Sequence, residues 1–591
     1  MDGRTHTCGE LRANHAQQQV VLMGWVRSLR DHGGVIFLDL WDRAGTTQIV
    51  VDPQVSPTAY RNAQDVHPEY VIAVRGTVRL RPDDAVNPRL QTGDIELAAD
   101  AITVLNSAQP LPFPLEENGR QDELGLRYRY LDLRRDKALA NLRLRHRVVR
   151  GLRTVLDDQG FIEIETPILG ASTPEGARDY LVPSRVHPGT FYALPQSPQQ
   201  LKQLLMVAGV DRYYQVARCF RDEDLRADRQ PEFTQLDLEM SFVNQEDILQ
   251  VVENAVAQIT REAAPHLHIP TPFPRMTYDQ AMATYGSDKP DTRYAMKFVD
   301  LAAVFSSSHV RIFQQVLKTG GWIRGIKVSA SDGKTVITLS ALERLKTLAV
   351  EAGAGGLIWV PVEQDGLRGP VAKHLSTAEK QSLRDIFDVR TGDLLLIVAG
   401  EPAVVAEALG LLRREIAAQL DLAEPGTMAF AWVLDFPMFK FNADTRQWEA
   451  EHHPFTSPKA ADLPGMEQDP GKVRADCYDL VCNGWELGSG SLRIYRSDVQ
   501  MRVFQLLGYT PAEVEERFGH LLEAFSYGAP PHGGFAVGID RLVALLAGTD
   551  TIRDVIAFPK TGSAKDLMMQ APAVVSKAQL DQVHIQLKSK E

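Results

Sequence analysis

The sequence is poor in cysteine, has no long apolar run and carries no excess of positive charge. It contains 4 cysteines in 591 residues. So few thiols, with no close pair of the metal-binding type, argue against a disulfide framework and favour a reducing compartment. No stretch approaches the length that crosses a membrane, and the N-terminus has no apolar signal core. We therefore expect a cytoplasmic protein with no membrane partner.

The charge balance excludes one broad class of function. The formal net charge is −12 at pH 7, whereas a general nucleic-acid-binding protein is usually basic. A local patch can still bind nucleic acid, and residues 127–153 are rich in Arg and Lys, although a solvated helix face explains them equally well. Hydrophobic residues at 44% and charged residues at 24% are ordinary for a globular chain, and 591 residues predict several domains.

Residues 20–105 are β-rich. Five strands with one helix predict an OB-fold, whose strand face can hold single-stranded nucleic acid, and another small β-barrel is the alternative. The predicted strands are 20–26, 35–40, 46–51, 70–78 and 95–104, with a helix at 57–66.

A proline-rich stretch at 107–126 predicts a linker. Apolar residues then recur at helical spacing from about Asp136 to Asp158, which predicts an amphipathic helix. Gly160 ends this helix, and an alternating strand is predicted to run to Pro167. The predicted apolar face of the helix consists of Leu139, Leu142, Val149, Leu152 and Leu156.

The most informative stretch runs from Arg218 to Met240 and predicts two antiparallel strands joined by a polar turn at 224–228. Alternation directs Leu236 and Leu238 towards a core. The opposite face then carries Arg221, Glu223, Phe233, Gln235 and Asp237. Guanidinium groups pair with phosphate oxygens and carboxylates bind amino groups, so this face suits a ligand that has both. A charged solvent face of an ordinary hairpin is the alternative.

The second half of the chain contains two further features. Residues 291–424 read as mixed α/β, with strands at 322–328, 335–340 and 357–362, a helix at 341–352 and no acid–base cluster. Later, adjacent residues His452 and His453 would point to opposite faces of a strand, so we do not expect them to share a zinc ion. Asp479 and Glu486, seven residues apart among small residues, suggest a Mg²⁺–phosphate site.

Three segments, taken in chain order, resemble motifs 1, 2 and 3 of the class II aminoacyl-tRNA synthetases. The first is Gly160-Phe161-Ile162-Glu163-Ile164-Glu165-Thr166-Pro167, and the third is Gly538-Ile539-Asp540-Arg541-Leu542. The second, Phe-Arg-x-Glu followed by Arg-x-x-x-Phe-x-x-x-Asp, is met by Phe220, Arg221, Glu223, Arg229, Phe233 and Asp237. The segment Gln196-Ser197-Pro198-Gln199-Gln200-Leu201-Lys202-Gln203 narrows the resemblance to the aspartate, asparagine and lysine subgroup. From end to end the chain is similar to the bacterial-type aspartyl-tRNA synthetases.

The resemblance implies an enzyme that forms aspartyl-adenylate from L-aspartate and ATP and transfers aspartate to the 3′ end of tRNA(Asp). The implied catalytic residues are Arg221, Glu223 and Arg541, and Mg²⁺ would accompany ATP on Asp479 and Glu486. The residues implied to bind aspartate are Glu175, Gln199, Lys202, Arg221, Asp237, His452 and Arg493. Those implied to bind ATP are Arg221, Asp222, Glu223, Gln230, Phe233, Glu486, Gly538, Ile539, Asp540 and Arg541.

The resemblance also implies an α+β multidomain architecture and a homodimer, whose interface would include the helix and strand of residues 136–167. Core packing of that helix and strand inside a monomer is the competing account. The expected domains are an OB-fold anticodon-binding domain (1–108), a linker (109–135), a catalytic antiparallel-sheet domain in two parts (136–290 and 425–560), an inserted α/β domain of bacterial type (291–424) and a C-terminal extension (561–591).

In the OB-fold, the resemblance implies anticodon contacts from Arg30, Phe37, Gln48 and Glu96. Aspartate-specific members tend to carry Leu where this chain has His32 and Lys where it has Asp84. These two positions therefore suggest, as an alternative, an enzyme that also charges tRNA(Asn).

Four other functions compete with this interpretation. A lysyl enzyme is disfavoured because Lys202 and Arg493 would repel lysine, whereas an asparaginyl enzyme stays open. A non-catalytic tRNA-binding paralogue is disfavoured by the intact catalytic set of Arg221, Glu223, Glu486 and Arg541. An adenylating enzyme that uses no tRNA is disfavoured by the β-rich N-terminal region.

Overall fold

A computed structural model describes residues 3–115, 123–173, 175–331 and 336–588. The chain divides into two compact units, Met1–Arg120 with Tyr130–Leu139, and Gln121–Arg129 with Ala140–Glu591. Part of the predicted linker, residues 116–122, lies outside the described residues. Within the described part of the chain, no helix is both long and apolar enough to cross a membrane.

The first unit contains a closed five-stranded barrel. Its elements are β1 (Gln19–His32), β2 (Val35–Asp42), β3 (Gly45–Val51), α1 (Pro57–Gln64), β4 (Val71–Leu80) and β5 (Ile95–Asn106). The strands close in the order β1-β2-β3-β5-β4, with β3 and β5 parallel. Alternate side chains such as Leu38, Leu40 and Ile49 fill the barrel, because successive residues of a strand point to opposite faces. This is the OB-fold that the strand pattern predicts.

After the barrel come helices and the first strands of the main sheet, and of these elements residues Tyr130–Leu139 belong to the first unit. The elements are α2 (Glu123–Arg127), α3 (Arg129–Asp132), α4 (Asp136–Asp158), β6 (Ile162–Glu163), β7 (Leu181–Pro183), β8 (Phe191–Ala193), α5 (Gln199–Val207), β9 (Arg212–Phe220), β10 (Glu232–Ser241), α6 (Gln245–Ala263), β11 (Arg275–Thr277) and α7 (Tyr278–Tyr285). The bounds of α4 agree with the prediction, but its buried face is rotated. Leu152 and Leu156 are buried as predicted, but the rest of the buried face is formed by Leu144, Val148 and Val155. Leu139, Leu142 and Val149 are only half-buried.

A separate five-stranded sheet follows. Its elements are β12 (Val299–Asp300), α8 (Arg311–Lys318), β13 (Trp322–Val328), α9 (Leu339–Glu351), β14 (Ile358–Glu363), β15 (Gly366–Leu367), α10 (Thr377–Phe387), β16 (Leu394–Gly400) and α11 (Pro402–Gln419), and its strand order is β12-β13-β16-β14-β15. The strand predicted at 335–340 is wrong. Residues 332–335 lie outside the described residues, and the Thr338 hydroxyl accepts a hydrogen bond from Ala341 N, so the chain enters α9 at Leu339.

The main sheet is completed by the last part of the chain. The remaining elements are β17 (Phe430–Leu434), β18 (Phe439–Asn442), β19 (Gln447–Ala450), β20 (Cys477–Cys482), β21 (Trp485–Leu492), α12 (Ser497–Leu506), α13 (Pro511–Ser526), β22 (His532–Gly538), α14 (Ile539–Leu546) and α15 (Lys577–Gln582). Eight strands pair in the order β11-β17-β20-β21-β22-β10-β9-β6. The inner pairs are antiparallel, so β10 lies between its hairpin partner β9 and the distant β22.

The sheet buries one face under helices and leaves the other for a cavity. Val148 of α4, Val252 of α6 and Leu542 of α14 share a hydrophobic core with Leu236 and Leu238 of β10. At the edge of the sheet, the strand predicted for 160–167 is only two residues long, Ile162–Glu163. Beyond it, Ile164 N donates one hydrogen bond to Tyr214 O, and Thr166 turns its hydroxyl to Gln215 Oε1, so the chain leaves the ladder before Pro167.

Candidate active site

A cavity of about 840 Å³ lies over the face of the main sheet that the core helices leave uncovered. Strand alternation sets its floor, since Phe233, Gln235 and Asp237 of β10 line the cavity while Leu236 and Leu238 enter the core. Helix α5, strands β21 and β22, and the connection between β9 and β10 supply the walls.

One end of the cavity holds a buried cluster of four charges. Lys202 Nζ lies 3.1 Å from Asp237 Oδ1 and 3.4 Å from Glu239 Oε2. Arg493 Nε donates to Glu239 Oε1 at 3.0 Å, and all four residues are at most 3% exposed. The sequence analysis assigned Lys202, Asp237 and Arg493 to this site but missed Glu239, which shares a face of β10 with Asp237. Each of the two cations is therefore already paired with a carboxylate of the protein.

The four charges are held by close packing of the backbone. Gly534 of β22 pairs with Glu239 across the sheet, and a Cβ at Gly534 would overlap the Glu239 carboxylate and the Leu238 carbonyl. Burial raises the pKa of Glu239, but Arg493 and Lys202 outweigh burial, so the pKa of Glu239 falls below its ordinary value. The glutamate is consequently a fixed anion that orients both cations.

His452 and His453 lie in a loop after β19 rather than on the expected strand, and both line the cavity. Arg493 Nη1 donates to His453 Nε2 at 2.8 Å. Because a guanidinium group can only donate, His453 must be neutral to accept. Burial and the neighbouring Arg493 lower the pKa of His453 well below its ordinary value, in agreement with that geometry.

Glu175 and Gln199 also line this end of the cavity. The Glu175 carboxylate accepts hydrogen bonds from Ser197 Oγ at 2.7 Å and Thr173 Oγ1 at 3.1 Å. Burial raises the pKa of Glu175 in spite of these hydrogen bonds. Gln199 and Lys202 share a face of α5, as their spacing predicts, and Gln199 donates its amide hydrogen to Gln203 Oε1.

The connection between β9 and β10 spans residues 221–231, so it is longer than the predicted turn at 224–228 and includes Arg221 and Glu223. The Arg221 guanidinium lies 5.0 Å from the centre of the Phe233 ring. Glu223 Oε2 accepts from Arg229 Nη1 at 2.9 Å. Four motif residues thus meet at the cavity wall, although three of them come from the connection and not from a strand.

The far end of the cavity combines acids and bases around Glu486. Arg541 Nη1 donates to Glu486 O at 2.8 Å, and Arg541 Nη2 lies 3.1 Å from Asp228 Oδ2. Lys289 Nζ lies 2.9 Å from Glu486 Oε2. Sequence reasoning missed Lys289, because it stands just before the inserted segment, far along the chain from every motif.

Some predicted ATP-binding residues have other environments. Asp222 does not line the cavity, and its amide donates to Arg178 O. The Ile539 side chain is fully buried in the core. Asp540 reaches the cavity wall, but its carboxylate accepts from Arg145 Nη1 at 2.5 Å and from Thr234 N at 2.8 Å. Gln230 lines the cavity and exchanges two hydrogen bonds with the Lys560 backbone.

Asp479 lies below the cavity on β20. His452 Nε2 is 3.7 Å from its Oδ1, and no described residue donates a hydrogen bond to that buried oxygen. Burial raises the pKa of Asp479, and the nearby Glu486 carboxylate raises it further, whereas His452 lowers it. The carboxylates of Asp479 and Glu486 repel each other, and Asp479 Oδ1 has no hydrogen-bond donor in the described part of the chain. Oxygen ligands of this kind suit a hard cation such as Mg²⁺.

The barrel carries a separate polar face. Arg30 Nη2 lies 2.9 Å from Asp39 Oδ2, Gln48 Nε2 donates to Glu96 Oε2 at 3.3 Å, and Arg79 Nε lies 2.7 Å from Glu96 Oε1. Strand pairing brings Phe37 beside Arg30 on this face, where its ring is half-buried rather than in the core. Sequence reasoning missed Arg79.

The two positions implied in tRNA discrimination are both exposed. His32 ends β1, and its ring centre lies 6.1 Å from that of Phe37. Asp84 occupies a short 3₁₀ turn after β4.

Comparison with known proteins identifies the family. Residues 121–562 match the class II tRNA synthetases (D, K and N), and residues 20–105 match the OB-fold nucleic acid binding domain. The chain is 50% identical to an aspartate–tRNA(Asp/Asn) ligase of a Geobacillus species, over 100% of this chain and 99% of that protein. It is also 50% identical to an aspartate–tRNA ligase of Geobacillus kaustophilus, over 98% of each chain.

The fold has solved counterparts. The crystal structure of asparaginyl-tRNA synthetase from Pyrococcus horikoshii, complexed with asparaginyl-adenylate, superposes with a TM-score of 0.59 at 19% identity, over 95% of this chain and 99% of that one. Likeness at this identity supports the fold alone. The sequence match covers most of the chain and identifies the family as well as the fold. This protein belongs to the class II aminoacyl-tRNA synthetases of the aspartate, lysine and asparagine group.

Proposed function

We propose that this chain is an ATP-dependent aspartate–tRNA ligase. It joins L-aspartate to ATP to form aspartyl-adenylate and pyrophosphate, and then transfers aspartate to the 3′ end of tRNA(Asp). The observation that carries the proposal is the single cavity that joins a buried Lys202–Arg493 cluster to Arg221 and Arg541. One end suits a dicarboxylic amino acid, and the other suits phosphates.

Aspartate lies at the charged end. Lys202 and Arg493 bind its side-chain carboxylate, with His452 and Gln199 hydrogen-bonded beside them. Glu175 and Asp237 bind the ammonium group, because Glu175 and the unpaired Oδ2 of Asp237 are acceptors at the cavity. Asparagine would turn amide N–H groups towards Lys202 and Arg493, which can only donate hydrogen bonds, and buried donors left without an acceptor are strongly penalised.

ATP lies at the other end. Arg221 bridges the aspartate carboxylate and the α-phosphate, and its attraction grows as charge develops on the transferring group. Arg541 holds the far phosphates, Phe233 stacks on adenine, and Glu223, Gln230 and the Gly538–Asp540 backbone complete the pocket. No side-chain nucleophile is required, since the reaction proceeds by positioning and charge stabilisation.

Asp479 and Glu486 are the residues that would hold Mg²⁺. Bound there with ATP, the ion would neutralise phosphate charge. Lys289 keeps Glu486 oriented towards the cavity.

In this proposal residues 1–108 bind the anticodon, and residues 136–290 and 425–560 form the catalytic domain. Residues 291–424 form the inserted domain, and residues 561–591 form the C-terminal extension. Arg30, Phe37, Gln48 and Glu96 would contact the anticodon on the polar face of the barrel, where Phe37 is exposed enough to stack on an unpaired base. The helix and strand of residues 136–167 would form a homodimer interface.

The test is amino-acid-dependent exchange between ATP and pyrophosphate, followed by aminoacylation of purified tRNA(Asp). We expect exchange with aspartate and none above background with asparagine or lysine. Arg221→Ala should abolish adenylate formation, and Arg178→Ala, which removes an exposed neighbour outside the cavity, serves as the control. Near-normal exchange by a folded Arg221→Ala variant would refute the role of that residue, and exchange driven by asparagine would refute the substrate.

A second candidate is a ligase that charges both tRNA(Asp) and tRNA(Asn) with aspartate. One of the relatives described above has that name, and the barrel carries His32 and Asp84 at the two positions of interest.

A further inference from the structure

Three side chains of different chemistry meet beneath the charged end of the cavity. Cys477 and Asp479 are two residues apart on β20, so both point to the same face of that strand. His452 reaches them from the loop after β19. The nearest ligand atoms of the three residues all lie within 4.8 Å of one another.

We propose that Cys477, His452 and Asp479 form a binding site for a soft divalent cation such as Zn²⁺. Thiolate and imidazole ligands select Zn²⁺ over Mg²⁺, and a carboxylate completes a neutral set with the ion. Zinc bonds of about 2.0–2.3 Å hold such atoms about 3.6 Å apart in a tetrahedral site. The observed separations, all within 4.8 Å, exceed this value by about an ångström at most, so binding requires only a small approach of the three side chains.

Burial and packing support the site independently. Cys477 is 1% exposed and Asp479 is 3% exposed, and one oxygen of Asp479 has no hydrogen-bond donor among the described residues. The Phe436 ring packs edge-on against the His452 ring at 4.9 Å, which fixes the plane of the imidazole. His452 and Cys477 also line the cavity, so the fourth coordination position faces solvent or substrate.

Binding is an exchange of protons for metal. The ion takes the Cys477 sulfur as thiolate and the imidazole as the neutral form, and the displaced protons go to the buffer. The ion also draws His452 and Asp479 away from the aspartate and Mg²⁺ roles given above. This consequence depends on the proposed function, whereas metal binding itself does not.

The direct test is a Co²⁺ titration of the reduced, metal-free full chain, followed by displacement with Zn²⁺. We expect about one equivalent to bind with a thiolate-to-cobalt charge-transfer band. Cys477→Ala should lose that band and bind Zn²⁺ at least tenfold more weakly. Cys482→Ala is the matched control, because Cys482 is a buried free thiol on the opposite face of the same strand. A band that survives in Cys477→Ala, or is absent from the wild type, overturns the proposal.

A measurement on the wild type alone guards against a variant that does not fold. Zn²⁺ should slow alkylation of Cys477 by iodoacetamide at least tenfold, as read by peptide mass spectrometry, and no protection overturns the site. In pyrophosphate exchange, Zn²⁺ should raise the aspartate KM of the wild type and of Cys482→Ala but not of Cys477→Ala. If the enzyme shows no aspartate-dependent exchange, the proposed function fails while the cobalt result stands.

Discussion

Single residues of the candidate site were predictable where a strand sets their direction. Alternation along β10 correctly separates the cavity residues Phe233, Gln235 and Asp237 from the core residues Leu236 and Leu238. The same alternation places Glu239 on the cavity side, yet its role depends on Arg493, which is distant in sequence. Spacing within one segment does not reveal a partner that the sheet brings in from another segment.

The buried charge cluster leads to a prediction about Lys202. Lys202→Met leaves Asp237 and Glu239 with one cation fewer, so it should lower the free energy of unfolding by about 3–5 kcal/mol. It should also raise the aspartate KM far more than the ATP KM, and Arg493→Leu should do the same. Chemical denaturation and exchange kinetics measure the two effects.

The matched control for Lys202→Met is the double variant Lys202→Met/Asp237→Asn, which removes one charge of each sign. It should recover most of the lost stability without recovering aspartate binding. If Lys202→Met raises both KM values equally, Lys202 holds phosphate or the fold and not aspartate.

His453 gives a prediction for pH dependence. Its pKa is lowered on folding, so the unfolded chain takes up a proton below pH 6.5 that the folded chain excludes. Stability from this residue is present above pH 6.5 and falls as the pH drops, by at most about 1.4 kcal/mol per pH unit. His453→Gln keeps an acceptor for Arg493 and should flatten the fall between pH 6.5 and 5, measured by denaturation at each pH. Equal slopes in both proteins would contradict a neutral buried His453.

At the scale of elements, the sequence predicted most strands and helices but fewer of their faces and ends. The bounds of α4 were predictable from its period, whereas its buried stripe follows the sheet and includes Asn141, whose amide donates to Asp554 O. The strand predicted at 335–340 failed because a helix cap overrides the β propensity of its neighbours. The connection 221–231 exceeds the predicted turn because Arg221 already leaves the ladder with β10.

That connection supplies the third prediction. Asp228 pairs with Arg541 at 3.1 Å and is about a third exposed. In the proposed ATP site, the phosphates have to displace Asp228 before they bind Arg541. A pair of this exposure contributes about 0.2–1 kcal/mol. Asp228→Asn should therefore lower the ATP KM by up to about fivefold and leave the aspartate KM unchanged. Asp224→Asn in the same connection is the control, and an ATP KM that rises would show that Asp228 assists ATP instead.

At the scale of the whole molecule, the edge of the main sheet bears on assembly. Strand β6 pairs with β9 alone among the described strands, and Ile162 on it is 53% exposed. An exposed edge strand with an apolar side chain is a site for pairing with another chain. We expect a homodimer, and light scattering should give about twice the 65.6 kDa of one chain.

Ile162→Asp should shift that dimer towards monomer. Leu339→Asp is the matched control, because Leu339 is an exposed apolar residue at 78% exposure in the inserted segment. A wild-type monomer at working concentration, or equal dissociation of both variants, would count against the interface.

The last prediction concerns tRNA choice, which depends on the barrel. The anticodons of tRNA(Asp) and tRNA(Asn) differ at one base, so few contacts can separate them. His32 is exposed at the end of β1 beside Phe37, where its imidazole can reach a base edge, and the exposed Asp84 would repel phosphate where a Lys would bind it. We expect the wild type to charge purified tRNA(Asn) with aspartate. His32→Leu should reduce this charging about tenfold while tRNA(Asp) charging is kept, since one base contact contributes about 1–3 kcal/mol.

The control for His32→Leu is His67→Leu, which changes a histidine outside this face. In the competing account, Arg30, Gln48 and Glu96 select tRNA(Asp) over tRNA(Asn). If the wild type does not charge tRNA(Asn) above background, that account is correct.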